Sequence, residues 1–193
     1  MSQENVLAVH GDRIRLAPLG ERSGERRTLD ERLYVRFPTL LPRLVSTVMR
    51  LPTGSRPRRT FLSRLIRRGW AASNRGDLDL SLCGYDPEVE ISWPESGGAA
   101  FPDLQGTYRG HEGFRRVWAA MHDPWDVDVR PEEMIDAGDR LLVVAHVTAG
   151  GRGSGVPVSG PLIGLYTVRT GRIVRERYFN DLEEALEAAG LSE

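Results

Sequence analysis

Lysine is missing from this chain, and all 26 basic residues are Arg. So complete a bias points to a GC-rich coding sequence, and Arg content by itself therefore assigns no nucleic-acid partner. Cysteine is almost missing as well. Cys83 stands alone, which excludes an internal disulfide and any cysteine-based metal site. No apolar run approaches the roughly 20 residues of a membrane span, and the polar N-terminus is unlike a signal peptide. The expectation is a soluble cytoplasmic protein with no membrane insertion. No internal repeat is visible, and no pair of histidines has metal-ligand spacing with a carboxylate. No cofactor is expected.

The charges that are present are unevenly placed. Residues 1–76 carry 16 Arg against 6 acidic residues, a balance of +10, while 77–193 carry 10 against 21, a balance of −11. The 193 residues suit one domain with an extension. Residues 1–28, polar and punctuated by Gly11, Gly20 and Gly24, read as a poorly ordered tail with one short alternating run at Ile14-Arg15-Leu16. Residues 29–57 form an Arg-rich helical extension. In it Leu33, Phe37, Leu40, Leu41, Leu44, Val45, Val48 and Met49 recur at helical spacing, with Arg between them and breaks expected at Pro38 and Pro42. Residues 58–193 form the main domain.

That domain opens with the end of a helix running from about Pro57 to Asn74, stopped by Asn74-Arg75-Gly76-Asp77. A short helical turn at 78–82 follows, then a strand near 89–93, a Gly-rich loop at 97–106 and a helix at 111–122. Strands are expected near 127–130, 133–137 and 141–148. Asp181 with Glu184 three residues on matches a helix cap and capping box. Just before it, residues 155–181 read as a β-hairpin turning at Thr170-Gly171. Alternation after the turn puts Ile173, Arg175, Arg177 and Phe179 on one face, and Val174, Glu176, Tyr178 and Asn180 on the other. Polar groups on both faces suggest that one of them lines a cavity.

Five segments in this order resemble the SnoaL-like branch of the nuclear transport factor 2 superfamily: Asn74 to Asp77, Tyr85 to Glu90, Tyr108 to Gly113, Ile135 to Arg140, and Thr170 to Val174. The resemblance covers about 58–191. It implies an α+β fold, a curved antiparallel sheet wrapped round helices to make a cone with a pocket inside, preceded here by the helical N-terminal extension. Such a fold hosts both enzymes and non-enzymes, so function must be argued from the site. Aligned by the resemblance, the acid/base groups of ketosteroid isomerases fall at Trp93, Gly69 and Ile163, and the acid of SnoaL-type polyketide cyclases falls near Tyr178. None of these positions carries a carboxylate. The same landmarks put Glu176, Tyr178 and Asn180 on the concave face, walled by Val143, Ala145, Val147, Ile163, Leu165 and Trp93, with Trp118 as a further aromatic wall.

A carboxylate among such walls has its pKa raised by desolvation, which suits general acid or base work and makes Glu176 the candidate catalytic residue. The plainer reading pairs it with an arginine at the sheet rim. Tyr178 and Asn180 are candidates for binding a ligand or for satisfying buried backbone groups. Alternation puts His146 on the outer face, and His111 reads as a loop-packing or pocket-mouth residue at a helix start. The Gly151-Arg152-Gly153-Ser154-Gly155 loop lies between two strands and lacks a Lys-Ser/Thr ending, so it is not a phosphate loop. Two hypotheses follow. The first is a pocket for a small apolar, carbonyl-bearing molecule, with acid/base chemistry at Glu176 in a homodimeric protein. The second is a non-catalytic binding or dimerisation module whose Arg-rich arm contacts a partner, with nucleic acid disfavoured.

Overall fold

The computed structural model describes residues 11–19, 26–153, 155 and 157–191. Most of the expected tail, 1–10 and 20–25, lies outside them, as do Ser154, Val156 and 192–193. Thr28 opens the first helix, α1 (Leu29–Arg36), where Glu31 accepts the Thr28 backbone N–H at 2.9 Å and closes a capping box. Pro38 interrupts the helical stripe, and the chain restarts as α2 (Leu40–Met49). The third helix, α3 (Arg56–Asn74), carries Pro57 in its first turn, where a missing N–H leaves no bond unmade.

Each residue of Asn74-Arg75-Gly76-Asp77 has a distinct task. Gly76 takes a φ of +75°, and the Gly76 and Asp77 N–H groups donate to the Ser73 and Ala72 carbonyls, each at 2.9 Å. That pair of bonds is a Schellman ending, which a residue with a Cβ disfavours. Asp77 then caps α4 (Leu78–Leu82) by accepting from the Leu80 N–H at 3.2 Å. Asn74 exchanges hydrogen bonds of 2.9 Å with the backbone of Val129, tying α3 to the sheet. Arg75 donates to the buried Glu31 at 2.9 Å and so ties α3 to α1.

The sheet comprises β1 (Asp12–Arg15), β2 (Tyr85–Trp93), β3 (Gly106–Arg109), β4 (Trp125–Ala137), β5 (Arg140–Gly151), β6 (Pro157–Arg169) and β7 (Arg172–Phe179), in the order β1-β4-β5-β6-β7-β2-β3. All neighbours are antiparallel except β2 and β7, which run parallel. Two helices remain, α5 (Gly110–His122) between β3 and β4, and α6 (Leu182–Ala188) at the end. The α+β architecture expected from the resemblance is the one the chain adopts.

Two expectations are corrected. Residues 12–15 are not tail: Ile14 and Leu16 bury themselves beside Met134, so this short alternating run adds an edge strand to β4. The strands expected at 127–130 and 133–137 are one strand. A bulge between Pro131 and Glu133 switches its inward face from Val127 and Val129 to Met134 and Asp136.

One face of the sheet holds α3 and α5. There Phe114, Val117 and Met121 of α5 pack on Val89, Ile91, Val129, Ala145 and Val147, and Leu62 of α3 packs with Met134, Leu141 and Val143. The opposite face is covered by α6, whose Ala185 and Ala189 pack on Ile135, Leu142, Ile163, Leu165 and Phe179. Where the inner face meets the extension, Arg58 is 2 % exposed and Asp136 not at all. Arg58 donates through Nε and Nη2 to Asp136 at 2.7 Å each, and its other donors reach the Met49, Leu51 and Gly138 carbonyls. The guanidinium thereby ties the α2–α3 linker to the β4–β5 turn. Further pairs, Arg27 with Asp77, Arg59 with Asp12 and Arg68 with Asp30, show the basic segment partly neutralised by acids of the same chain.

Candidate functional site

A cavity of about 170 Å³ lies between the helices and the inner face of the sheet. Its helical wall includes Leu62, Ile66 and Trp70 of α3 and Trp118 and His122 of α5, and its sheet wall includes Tyr85, Ile91, Tyr166, Ile173, Glu176 and Tyr178. Most of this lining is apolar. The main polar group is Glu176, 2 % exposed, in a wall it shares with Tyr85, Tyr166 and Tyr178. Tyr178 Oη donates to Glu176 Oε1 at 2.5 Å.

The electrostatics follow from that burial. Removing a carboxylate from water disfavours its charge, and this desolvation pushes Glu176 up to about 7, against smaller opposing contributions from the Tyr178, Tyr85 and Tyr166 hydroxyls. Burial and the adjacent carboxylate raise all three phenols well above 10, so they remain protonated donors at neutral pH. Glu176 is thus near half ionisation at neutrality, in a dry wall lined with O–H groups. On the helical wall, the His122 ring is tilted at 31° against Trp118 with ring centroids 4.3 Å apart and lies 3.4 Å from Ser73 Oγ. Burial, and then the positive charge of Arg152, hold its pKa below the usual value, so the ring is neutral at pH 7.

Of the residues singled out in the sequence, Glu176, Tyr178 and Trp118 line the cavity. Trp93 stands behind it, buried and stacked on Tyr178 at 3.9 Å between centroids and 19° between planes. Asn180 is exposed and does not line the cavity. Its Oδ1 accepts from the Ala99 N–H at 2.9 Å and its Nδ2 donates to the Gly97 carbonyl at 2.9 Å, so it pins the loop after β2. Ile163 and Leu165 face the opposite side of the sheet under α6. His146 is also on that outer side, 2.8 Å from Ser159 Oγ, and His111 Nε2 lies 3.4 Å from the Tyr85 carbonyl.

The reason for the Ile163 and Leu165 error is one residue. Thr167 pairs with Arg175 but Val168 pairs with Ile173, so Val174 is bulged out of the ladder. Partners directly opposite in an antiparallel pair share a face, and the bulge sets Tyr166 opposite Glu176 and Gly164 opposite Tyr178. It also turns Ile173 inward to the cavity, away from the face of Arg175 and Arg177. Gly164 has its own reason. A Cβ there would stand 3.0 Å from Tyr166 Oη, so its absence lets the ring lie back over the strand. Tyr85 and Tyr166 are the functional candidates that sequence reasoning missed. A tyrosine in the strand paired with the Glu176 strand was the available signal, and it becomes readable only once the register is known.

Among the described residues, no group of three or more His, Cys, Asp or Glu side chains is placed to hold a metal ion. None of the described helices is long and apolar enough to cross a membrane.

A curved sheet holding a buried carboxylate against inner helices defines a class of pocket-bearing α+β proteins, and comparison narrows the class. The model of the SnoaL-like domain family matches residues 66–176, more than half of the sequence, and the chain belongs to that family. Among solved structures it is similar to TerC, which was co-crystallised with polyporic acid, at 25% identity and a TM-score of 0.53, over 67% of this chain and 97% of that one. It is similar also to an NTF2-like protein of unknown function from Burkholderia pseudomallei (21%, TM-score 0.53, 64% and 93% covered). A third is a candidate SnoaL-like polyketide cyclase from Jannaschia sp. CCS1 (22%, TM-score 0.51, 69% and 91% covered). These two likenesses establish the fold alone. No curated protein matches the chain.

Proposed function

We propose that this protein binds a small apolar molecule bearing a carbonyl group and performs acid/base chemistry on it, with Glu176 as the proton-exchanging residue. The observation that carries the reading is a carboxyl buried in the wall of an apolar cavity, where desolvation pushes it up to about 7. A catalytic pKa close to the working pH gives both a usable fraction of base and a usable fraction of acid. As carboxylate, Glu176 takes a proton from the carbon next to the carbonyl. The enolate oxygen that forms is met by a protonated tyrosine, Tyr166 or Tyr85, while Tyr178 holds the carboxylate in place. Return of the proton at another carbon is isomerisation, and attack of the enolate carbon on a second carbonyl is ring closure. TerC, crystallised with polyporic acid, supports a small-molecule occupant for this cavity by likeness. A homodimer formed through the outer sheet face around Val144, His146 and Pro161 belongs to the same reading, and sedimentation velocity tests it.

The chemical test uses acetophenone in deuterated water. The expected result is saturable quenching of tryptophan fluorescence and protein-dependent exchange of the methyl hydrogens, with a pH profile inflecting near the Glu176 pKa. Glu176→Gln should keep the quenching and lose the exchange. Exchange that survives Glu176→Gln removes that residue from the mechanism.

A further inference from the structure

The Arg-rich extension has no part in the chemistry above, yet it touches the site. The family match begins at residue 66, after α1, α2 and the first half of α3. Of TerC, 97% is matched by only 67% of this chain. The cavity nonetheless takes Leu41 and Val45 of α2 as lining residues, each buried, and with them Leu62 and Leu65 of α3. One wall of the pocket is therefore built by sequence that precedes the matched family segment.

That wall is held at fixed distance from the sheet. Gly171, at a φ of +79° in the β6–β7 turn, lies so close to α2 that a Cβ there would collide with the Pro42 carbonyl oxygen. Arg172 donates to the Tyr85 carbonyl at 3.0 Å and to the Pro38 carbonyl at 3.5 Å, bridging the α1–α2 junction to the strand that carries a cavity tyrosine. At the other end of α2, the buried Arg58 binds the Met49 and Leu51 carbonyls. With both ends fastened, the inner side chains of α2 stand at a set depth over the sheet wall.

Resting on the proposed small-molecule site, we infer that the extension is the specificity-determining wall of the cavity, with Leu41 and Val45 limiting its ligand to a single substituted ring. The volume agrees: about 170 Å³ compares with the roughly 150 Å³ of an apolar cavity that accepts benzene. Two fused rings need the space that the Leu41 and Val45 side chains fill.

Acetophenone and 1-acetylnaphthalene differ by one ring and share the carbonyl, so the ratio of their affinities reads the wall alone. Binding is followed by fluorescence of Trp70 and Trp118, which line the cavity, in the full chain, with circular dichroism to verify folding. Wild type should prefer acetophenone. Leu41→Ala with Val45→Ala should shift the ratio toward acetylnaphthalene by roughly tenfold or more, the scale that a few methylenes command in an apolar pocket. Val45→Ala alone, the milder change, should shift it in the same direction, and it carries the test if the double variant does not fold. An unchanged ratio in a folded variant, or equal binding of both probes by wild type, overturns the inference while leaving the ligand site standing. Binding of neither probe by wild type overturns the ligand site and the inference together.

Discussion

Replacing Glu176 with Gln makes a test of the site that requires no ligand. In the folded protein the carboxyl titrates near 7, against 4.5 for an ordinary glutamate. Between those values the folded chain keeps a proton that the unfolded chain has lost, so raising the pH favours unfolding. Stability from this group is complete below about pH 4.5 and is lost as pH rises to about 7, beyond which the loss is constant. One pKa unit corresponds to about 1.4 kcal/mol, so the full loss is roughly 3 kcal/mol. Gln resembles the protonated acid in shape and still offers Tyr178 an acceptor, yet it does not titrate. The variant should therefore match wild type near pH 4.5 and exceed it by roughly 3 kcal/mol above about pH 8. Urea unfolding across that range, followed by tryptophan fluorescence, measures the difference. Neutral His122, with its lowered pKa, adds an opposite trend that is common to both proteins and cancels. A stability difference that does not change with pH refutes the raised pKa, and with it the electrostatic basis for the role of Glu176.

Arg58→Met should destabilise the fold by about 3–5 kcal/mol in urea unfolding, because it leaves Asp136 in the interior without a countercharge, with only the Gly138 N–H donating to it at 3.2 Å; Arg58→Lys should recover little, since one ammonium cannot replace the guanidinium fork. Gly164→Ala should displace Tyr166 and weaken acetophenone binding about tenfold, the scale of one lost hydrogen bond. Tyr166→Phe should do the same, and in a double-mutant cycle by fluorescence titration the two should be strongly non-additive. Asn180→Ala should cost about 1–3 kcal/mol of stability in the same unfolding assay through its lost loop contacts, while acetophenone affinity stays within about twofold.

Much of the architecture was legible because its signals are local. The Asn74 to Asp77 run and Asp181 before α6 each solve a helix-end problem within a few residues, and hydrophobic spacing marks the faces of α2, α3 and α5. Glu176 and Tyr178 were legible as a pair, since side chains two apart on a strand share a face. What lies across from them was not. A hairpin turning at Thr170-Gly171 with an unbroken ladder pairs Leu165 with Glu176 and Ile163 with Tyr178. The bulge at Val174 moves that register by one, and a one-residue slip exchanges every side chain on the opposing strand for its neighbour.

The sequence by itself determined the element order and a carboxylate on the last strand, because these depend on interactions between residues close in the chain, and the order of five short segments carried the resemblance that implied the fold class. Only the tertiary structure decided that the carboxylate accepts from Tyr178 in a wall shared with Tyr85 and Tyr166, that Asn180 holds a loop, and that α2 walls the cavity. Those facts depend on strand register and on helix docking, which no single segment settles: the bulge decides what faces Glu176 within the β6–β7 hairpin, and contacts as distant as Asn180 with Ala99 and Gly171 with Pro42 fix the loop and α2. Desolvation depends in turn on what has docked, so the pKa that makes Glu176 a candidate acid and base is a property of the assembled cavity and of no single segment.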